Sequence, residues 1–233
     1  MKKLQLETNP QKTAQFLARV RDEITKRGIV DVLRKGIKAY PASLIMFYMT
    51  PSVNNPAAAA LYAKNIFSVT RQLHFSPDAT KLSLDLCIFV NGLPVITFEL
   101  KNQLTKQNVD DVQVKFCTRL QGKESWFLPF NKGYKDGAGN PPNPDGLMTD
   151  YLWKQILTKD MLSRIIENYA TLVEEKDEET GKTRYKQIFP RYHQLTAVES
   201  LLADVKKNGV GNRYLIQHSA GSGKSNSIAW LAH

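Results

Sequence analysis

Residues 84–102, LDLCIFVNGLPVITFELKN, put three charged side chains into two of the most apolar stretches of the chain. Asp85 sits in LSLDLCIFV, and Glu99 and Lys101 sit in VITFELK. A carboxylate buried in an apolar strand is costly unless a cation meets it. Two carboxylates and a lysine converging there point to a metal site that acts on phosphate. Side chains alternate across a strand, so Asp85, Cys87 and Phe89 share one face, as do Thr97, Glu99 and Lys101. A three-residue Asn91-Gly92-Leu93 loop would pair Val90 with Pro94 and set Asp85 opposite Glu99. A two-residue loop would put the carboxylates on opposite faces, because a one-residue slip flips every side chain. Directly opposed carboxylates repel, and a divalent cation with hard oxygen ligands, such as Mg²⁺, relieves that repulsion. The spacing alone leaves a second reading open: a surface-facing aspartate and an ordinary Glu-x-Lys ion pair.

A second constellation lies near the C-terminus. Arg213–Gln217 reads as a short strand, after which His218-Ser219-Ala220-Gly221-Ser222-Gly223-Lys224-Ser225 opens a helix, NSIAWLAH. Gly221, Ser222 and Gly223 let backbone N–H groups curl round phosphates at a helix N-terminus. Lys224 would reach the β- and γ-phosphates, and the Ser225 hydroxyl would hold the Mg²⁺ that accompanies ATP. The motif departs from GxxxxGK[ST] at its first position, where His218 stands. A plain glycine-rich turn is the alternative.

The elements that must position these residues follow from pattern. Residues 11–27 read as an amphipathic helix with Phe16, Leu17, Val20 and Ile24 on one stripe. IVDVLRKGIKAY is a short helix or strand broken at Gly36, and SLIMFYMT is an apolar strand. Pro51 and Pro56 bracket a loop, and AAAALYAKNIFSVTRQLHF is a helix running into a strand. From Phe127, FLPFNKGYKDGAGNPPNPDG is a long loop or connection. Residues 150–175 read as helical and VEEKDEETGKTRYKQ as a charged turn.

Composition narrows the class. The 233 residues are 42% hydrophobic, enough for one good core or two modest ones. The net charge of +10 fits a polyanionic partner, nucleic acid better than membrane, with simple solubility charge as the alternative. Cys87 and Cys117 are the two cysteines and read as reduced thiols. The four histidines, His74, His193, His218 and His233, show no metal spacing. The N-terminus lacks the apolar core of a signal peptide, and no apolar run approaches the ~20 residues of a membrane span. A cytoplasmic location is expected.

These residues carry a family resemblance. VLRKGIK, YAKNIFSVTRQLHFS, LDLCIFVNGLPVITFELKNQLTKQ, FLPFNKG, GAGNPPNP, YLWKQIL, FPRYHQLTAV and LIQHSAGSGKSNSIAWL together resemble the N-terminal part of the restriction (R) subunit of type I restriction-modification enzymes. The resemblance implies an α/β chain: a PD-(D/E)xK endonuclease-like domain at 1–130, a loop and helical connector at 131–185, and the start of a RecA-like motor domain at 186–233. It implies Mg²⁺ on Asp85 and Glu99 with the Leu100 carbonyl as a further ligand, and Lys101 as the catalytic lysine. Gln194, in FPRYHQLTA, would read the adenine of ATP. The whole subunit would cleave double-stranded DNA after ATP-driven translocation, in complex with methyltransferase (M) and specificity (S) subunits. Arg71, Lys81, Lys106 and Lys115 are candidate backbone contacts or merely solvated charges, and Asn131-Lys132-Gly133 is a nucleotide or DNA contact or a structural turn.

Two departures accompany the resemblance. Lys106–Gln113 leads almost directly into Thr118-Arg119-Leu120, where the family carries a further helix with a glutamine motif and a strand, so Gln113 takes no family role. The chain also ends eight residues after Ser225, before a Walker B carboxylate. The expectation is an internally shortened and C-terminally truncated R subunit. The rival is a catalytically inactive partial subunit that keeps only subunit or DNA contacts; a stand-alone P-loop nucleotide binder is a third reading.

Overall fold

The computed structural model describes residues 8–76, 78–100, 114–118, 123, 125–135, 137, 139–176, 181 and 183–232. Helices and strands are mixed, in two compact units, Met1–Asn102 and Gln103–His233. Among the described residues no helix is long and apolar enough to cross a membrane.

The first unit opens with α1, Pro10–Arg27, whose start is fixed by Asn9: its side chain accepts the Lys12 N–H at 3.1 Å. Phe16, Val20 and Ile24 of the expected stripe pack with Val32 of α2 (Ile29–Lys35) and Ile37 of β1 (Ile37–Ala39). Leu17 departs from that stripe and is 57% exposed. It sits about 100° round the helix from Phe16, beyond the packed face. Arg27 ties the end of α1 to α2, reaching Glu23 at 2.7 Å, Asp31 at 2.5 Å and the Gly36 carbonyl at 2.8 Å. Burial opposes ionisation of Asp31, but Lys35 and Arg27 outweigh it and hold its carboxyl below the usual range.

The strand expected over SLIMFYMT is short. It forms only β2, Ala42–Leu44, paired with β1. Further on, the Asn65 side chain takes the place of a partner strand: its Oδ1 accepts the Tyr48 N–H at 3.0 Å and its Nδ2 donates to the Tyr48 carbonyl at 2.7 Å. Next come α3, Pro56–Tyr62, and a three-stranded antiparallel sheet of β3 (Phe67–His74), β4 (Ser83–Val90) and β5 (Leu93–Phe98), in that order.

The β4–β5 turn corrects the expected three-residue loop. Val90 pairs with Leu93 across a two-residue Asn91-Gly92 turn with φ 51 and 81, the mirror-image turn that Asn-Gly favours. A two-residue turn alone would have separated the carboxylates by face. It does not, because the register shifts between Ile88 and Phe89: Phe89 pairs with Pro94 and Ile88 with Ile96. Val95 is the extra residue of a β-bulge, and Pro94, which has no N–H to donate, sits beside it. From Ile88 on, the register is the one a three-residue loop would have set.

In the second unit, β6 (Lys115–Phe116) pairs with β7 (Leu128–Pro129). Phe116, Phe130 and Phe189 lie within 6.1 Å of one another by ring centroid, and Tyr192 joins Phe130 at 5.8 Å and Tyr151 at 5.0 Å. The buried Tyr151 hydroxyl donates to the Phe130 carbonyl, and burial pushes its pKa up to about 12. The long loop is held internally. Buried Asn140 accepts the Lys132 N–H at 3.0 Å and donates to Asn131 Oδ1 at 2.9 Å.

Helical structure runs through a π-helical turn at Leu152–Ile156, α4 (Lys159–Arg164) and a second π-helical turn at Ile165–Tyr169. The expected helix to 175 therefore stops early. Residues 171–188 form a hairpin of β8 (Thr171–Lys176) and β9 (Thr183–Ile188), where the charged segment suggested only a turn. Two helices complete the unit, α5 (Tyr192–Asn208) and α6 (Lys224–Ala232). The strand expected at Arg213–Gln217 has no ladder among the described residues. With no neighbour to take its backbone groups, the segment lies exposed, Leu215 at 94%.

Candidate metal centre

The bulged register decides where the carboxylates fall. Leu86 pairs with Phe98, so one further step along the two chains puts Asp85 in line with Glu99, just past the end of β5. Asp85 is half-buried and Glu99 exposed. The Leu100 N–H donates to Asp85 Oδ2 at 2.7 Å, which continues the contact between the chains after the ladder ends. From the other side of β4, Gln72 Nε2 donates to Asp85 Oδ1 at 3.3 Å. Lys101, the third charged residue of the expected site, lies outside the described residues, as do Lys106 and Gln113. Among the described residues no three His, Cys, Asp or Glu side chains converge as a metal site.

The donors nevertheless suit a hard cation. Each oxygen of Asp85 accepts one hydrogen bond and retains a lone pair, since a carboxylate has about four acceptor sites. Asp85, Glu99 and the carbonyl of Leu100 are all oxygen ligands and none is sealed from solvent, which fits Mg²⁺ and its retained waters. Cys87, two residues from Asp85 on the same strand, is buried, and burial pushes its thiol up. It behaves as a small core residue, not a soft ligand. Arg71 and Lys81 are exposed in this unit, and Lys115 is exposed in the other.

Sequence reasoning missed Gln72. A lone glutamine in a largely polar, exposed strand carries no periodic signal, and only the β3–β4 pairing reveals its place. Asn91 was taken only for its turn conformation. Its side chain also accepts the Ile66 N–H at 2.7 Å and donates to the Met46 carbonyl at 2.8 Å, fastening the hairpin tip to the unit.

In the second unit, Gly221, Ser222, Gly223, Lys224 and Ser225 lead into α6 as expected. Gly221 and Gly223 have φ 71 and 80. The positive φ of Gly223 favours glycine, and a Cβ there would lie 2.4 Å from Gln194 Nε2, so a side chain would displace that amide. Buried Gln194 joins the loop to the start of α5: its Nε2 donates to the Gly223 carbonyl at 2.8 Å and its Oε1 accepts the Arg191 N–H at 2.9 Å. His193 Nε2 lies 3.4 Å from the Ser222 carbonyl, and its ring meets that of His218 edge-on at 4.9 Å. Burial pushes His193 below its ordinary pKa. Lys224 Nζ donates to the carbonyls of Ser219 (2.9 Å) and His218 (3.3 Å), within its own loop. The hydroxyl of Ser222 and Nδ1 of His218 are buried without a hydrogen-bond partner among the described residues.

Comparison with known proteins shows what the chain is similar to. Residues 11–124 match the family model of the type I restriction enzyme R protein N terminus. The chain is also 24% identical over 229 residues to a protein of Methanocaldococcus jannaschii named "Putative type I restriction enzyme MjaVIIIP endonuclease subunit". That match covers 89% of this chain and 21% of the archaeal protein, so the chain spans about a fifth of its relative's length. No solved structure matches. The matched segment includes the whole of the β3–β4–β5 sheet.

Proposed function

We propose that the first unit carries a Mg²⁺-dependent DNA endonuclease centre of the PD-(D/E)xK kind. Asp85, Glu99 and the Leu100 carbonyl would hold the metal, and Lys101 would be the catalytic lysine. The observation that carries this reading is the Val95 bulge, which restores the register that brings Asp85 into line with Glu99. Bound Mg²⁺ would supply Lewis-acid neutralisation of charge developing on a phosphodiester and a more acidic water. The chain's own residues set the rest. Asp85 is oriented through one hydrogen bond on each oxygen, Glu99 presents its carboxylate to solvent where a DNA strand arrives, and the Lys101 ammonium steadies a phosphoryl oxygen.

The glycine loop before α6, with Gln194 beside it, is read as the ATP-binding start of a RecA-like motor domain. The support is the left-handed conformation of Gly223, φ 80, and the Gln194 bond to its carbonyl. On this reading the chain is the N-terminal part of an R subunit. The full subunit would couple ATP-driven translocation to cleavage of double-stranded DNA, in complex with M and S subunits.

The test is nicking of supercoiled DNA by the purified chain with and without Mg²⁺, beside Glu99→Ala and Lys101→Ala. Metal-dependent nicking lost in both variants is expected, by a factor of at least about a hundred. Equal background in all three would instead favour a catalytically inactive partial R subunit.

A further inference from the structure

Gln72 stands out in β3 for its backbone. Its φ is 49, in the left-handed region, in the middle of a strand whose other residues pair without a break in register. Arg71 pairs with Leu86 and Leu73 with Leu84, so Gln72 lies across from Asp85. A non-glycine residue rarely holds this conformation, and such residues cluster where structure serves a site.

The side chain shows what the conformation achieves. Its amide is engaged at both ends: Ser83 Oγ donates to Gln72 Oε1 at 3.0 Å, and Gln72 Nε2 donates to Asp85 Oδ1 at 3.3 Å. Asp85 can only accept, which fixes the amide with its nitrogen towards the carboxylate. The opposite oxygen of Asp85 is held by the Leu100 N–H at 2.7 Å. The carboxylate is therefore gripped from β3 on one side and from the end of β5 on the other.

We propose that Gln72 is a positioning residue for the metal centre: with Ser83 behind it, it fixes the plane of the Asp85 carboxylate so that its free lone pairs face the cation. The proposal rests on the assignment of Asp85 as a metal ligand. Mg²⁺ demands near-octahedral geometry, so a freely rotating carboxylate binds it less well than an oriented one. Partners that orient a ligand characteristically change metal affinity by about 10–100-fold.

The experiment is a Mn²⁺ titration of the full chain, read by the electron paramagnetic resonance of free Mn²⁺, with thermal melting as a control. Gln72→Gly keeps the left-handed backbone without strain and removes the side chain with its amide. It is expected to melt no lower than wild type and to bind Mn²⁺ about tenfold more weakly. Ser83→Ala, which frees the far end of the amide, is expected to weaken binding by a smaller factor of about three. Wild-type affinity in a folded Gln72→Gly overturns the proposal. Should Gln72→Gly fail to fold, Ser83→Ala decides: a threefold loss supports the proposal and unchanged affinity overturns it. Asp85→Asn separates this inference from its foundation. If that variant binds Mn²⁺ like wild type, the metal assignment itself is wrong; if binding is lost there while Gln72→Gly binds normally, only the role of Gln72 falls.

Discussion

Asp31 shows how a single carboxylate can be held charged inside the first unit. Its side chain is 10% exposed and meets Arg27 and Lys35, both at 2.5 Å. Lys35 is largely exposed, so solvent screens most of its share and the Arg27 pair dominates. Asp31→Asn is expected to destabilise the unit by about 1–2 kcal/mol at neutral pH, read from denaturant unfolding. The pH dependence has a definite sign. Because the folded-state pKa is depressed, the stabilisation is complete above the unfolded value of about 3.9 and is lost as pH falls through the folded value. Wild type and variant should therefore converge in acid. Gly223→Ala belongs to the same scale. The new methyl group meets Gln194 at 2.4 Å in a backbone conformation with φ 80. It should push the glutamine off the loop and weaken binding of a fluorescent ATP analogue by at least about tenfold, with a strain of about 1–2 kcal/mol.

At the scale of elements, the β4–β5 hairpin carries the account. Its existence, its strands and the place of its turn were legible, because alternation and turn chemistry are local. The bulge was not. Counting residues gave the correct register for the wrong reason, a longer loop instead of a two-residue turn plus an extra residue at Val95. Other misreadings share a cause: a partner distant in sequence satisfied the backbone. Asn65 replaced a strand beside Tyr48, and β9 turned a charged run into a ladder. Arg213–Gln217 had strand composition and no partner among the described residues to realise it. Gln72 was invisible for a related reason, since its meaning lies wholly in the cross-strand pairing. Deleting Val95 tests the hairpin directly. Val95 is unpaired, so without it Phe89 still meets Pro94, Ile88 still meets Ile96 and Asp85 stays in line with Glu99, now in a regular two-residue hairpin. Mn²⁺ binding should therefore be retained with little change in far-ultraviolet circular dichroism, whereas its loss would show that the bulge itself is needed at the site. Asn91→Ala should cost about 2–3 kcal/mol, because it removes the hydrogen bonds to Ile66 and Met46 and leaves alanine at a positive φ.

Across the whole molecule, the proposed function assigns general affinity for polyanions to the net charge of +10 and the chemistry to the proposed metal centre. If about four phosphates are contacted, log K for DNA should fall with log salt at a slope of about −3 to −4, measured by fluorescence anisotropy. Measured without divalent metal, that slope should be unchanged in Asp85→Asn, which removes no lysine or arginine. On the proposed function, Asp85 and Glu99 hold one divalent cation between the ends of β4 and β5. Iron-directed backbone cleavage tests it most directly: Fe²⁺ with ascorbate cuts the chain beside whatever site binds the metal, and the fragments are sized by mass spectrometry. Cuts are expected to cluster near Asp85 and near Glu99–Leu100, to be suppressed by excess Mg²⁺ and to be absent in Asp85→Asn. Cuts that fall elsewhere, or that persist unchanged in Asp85→Asn, would contradict it.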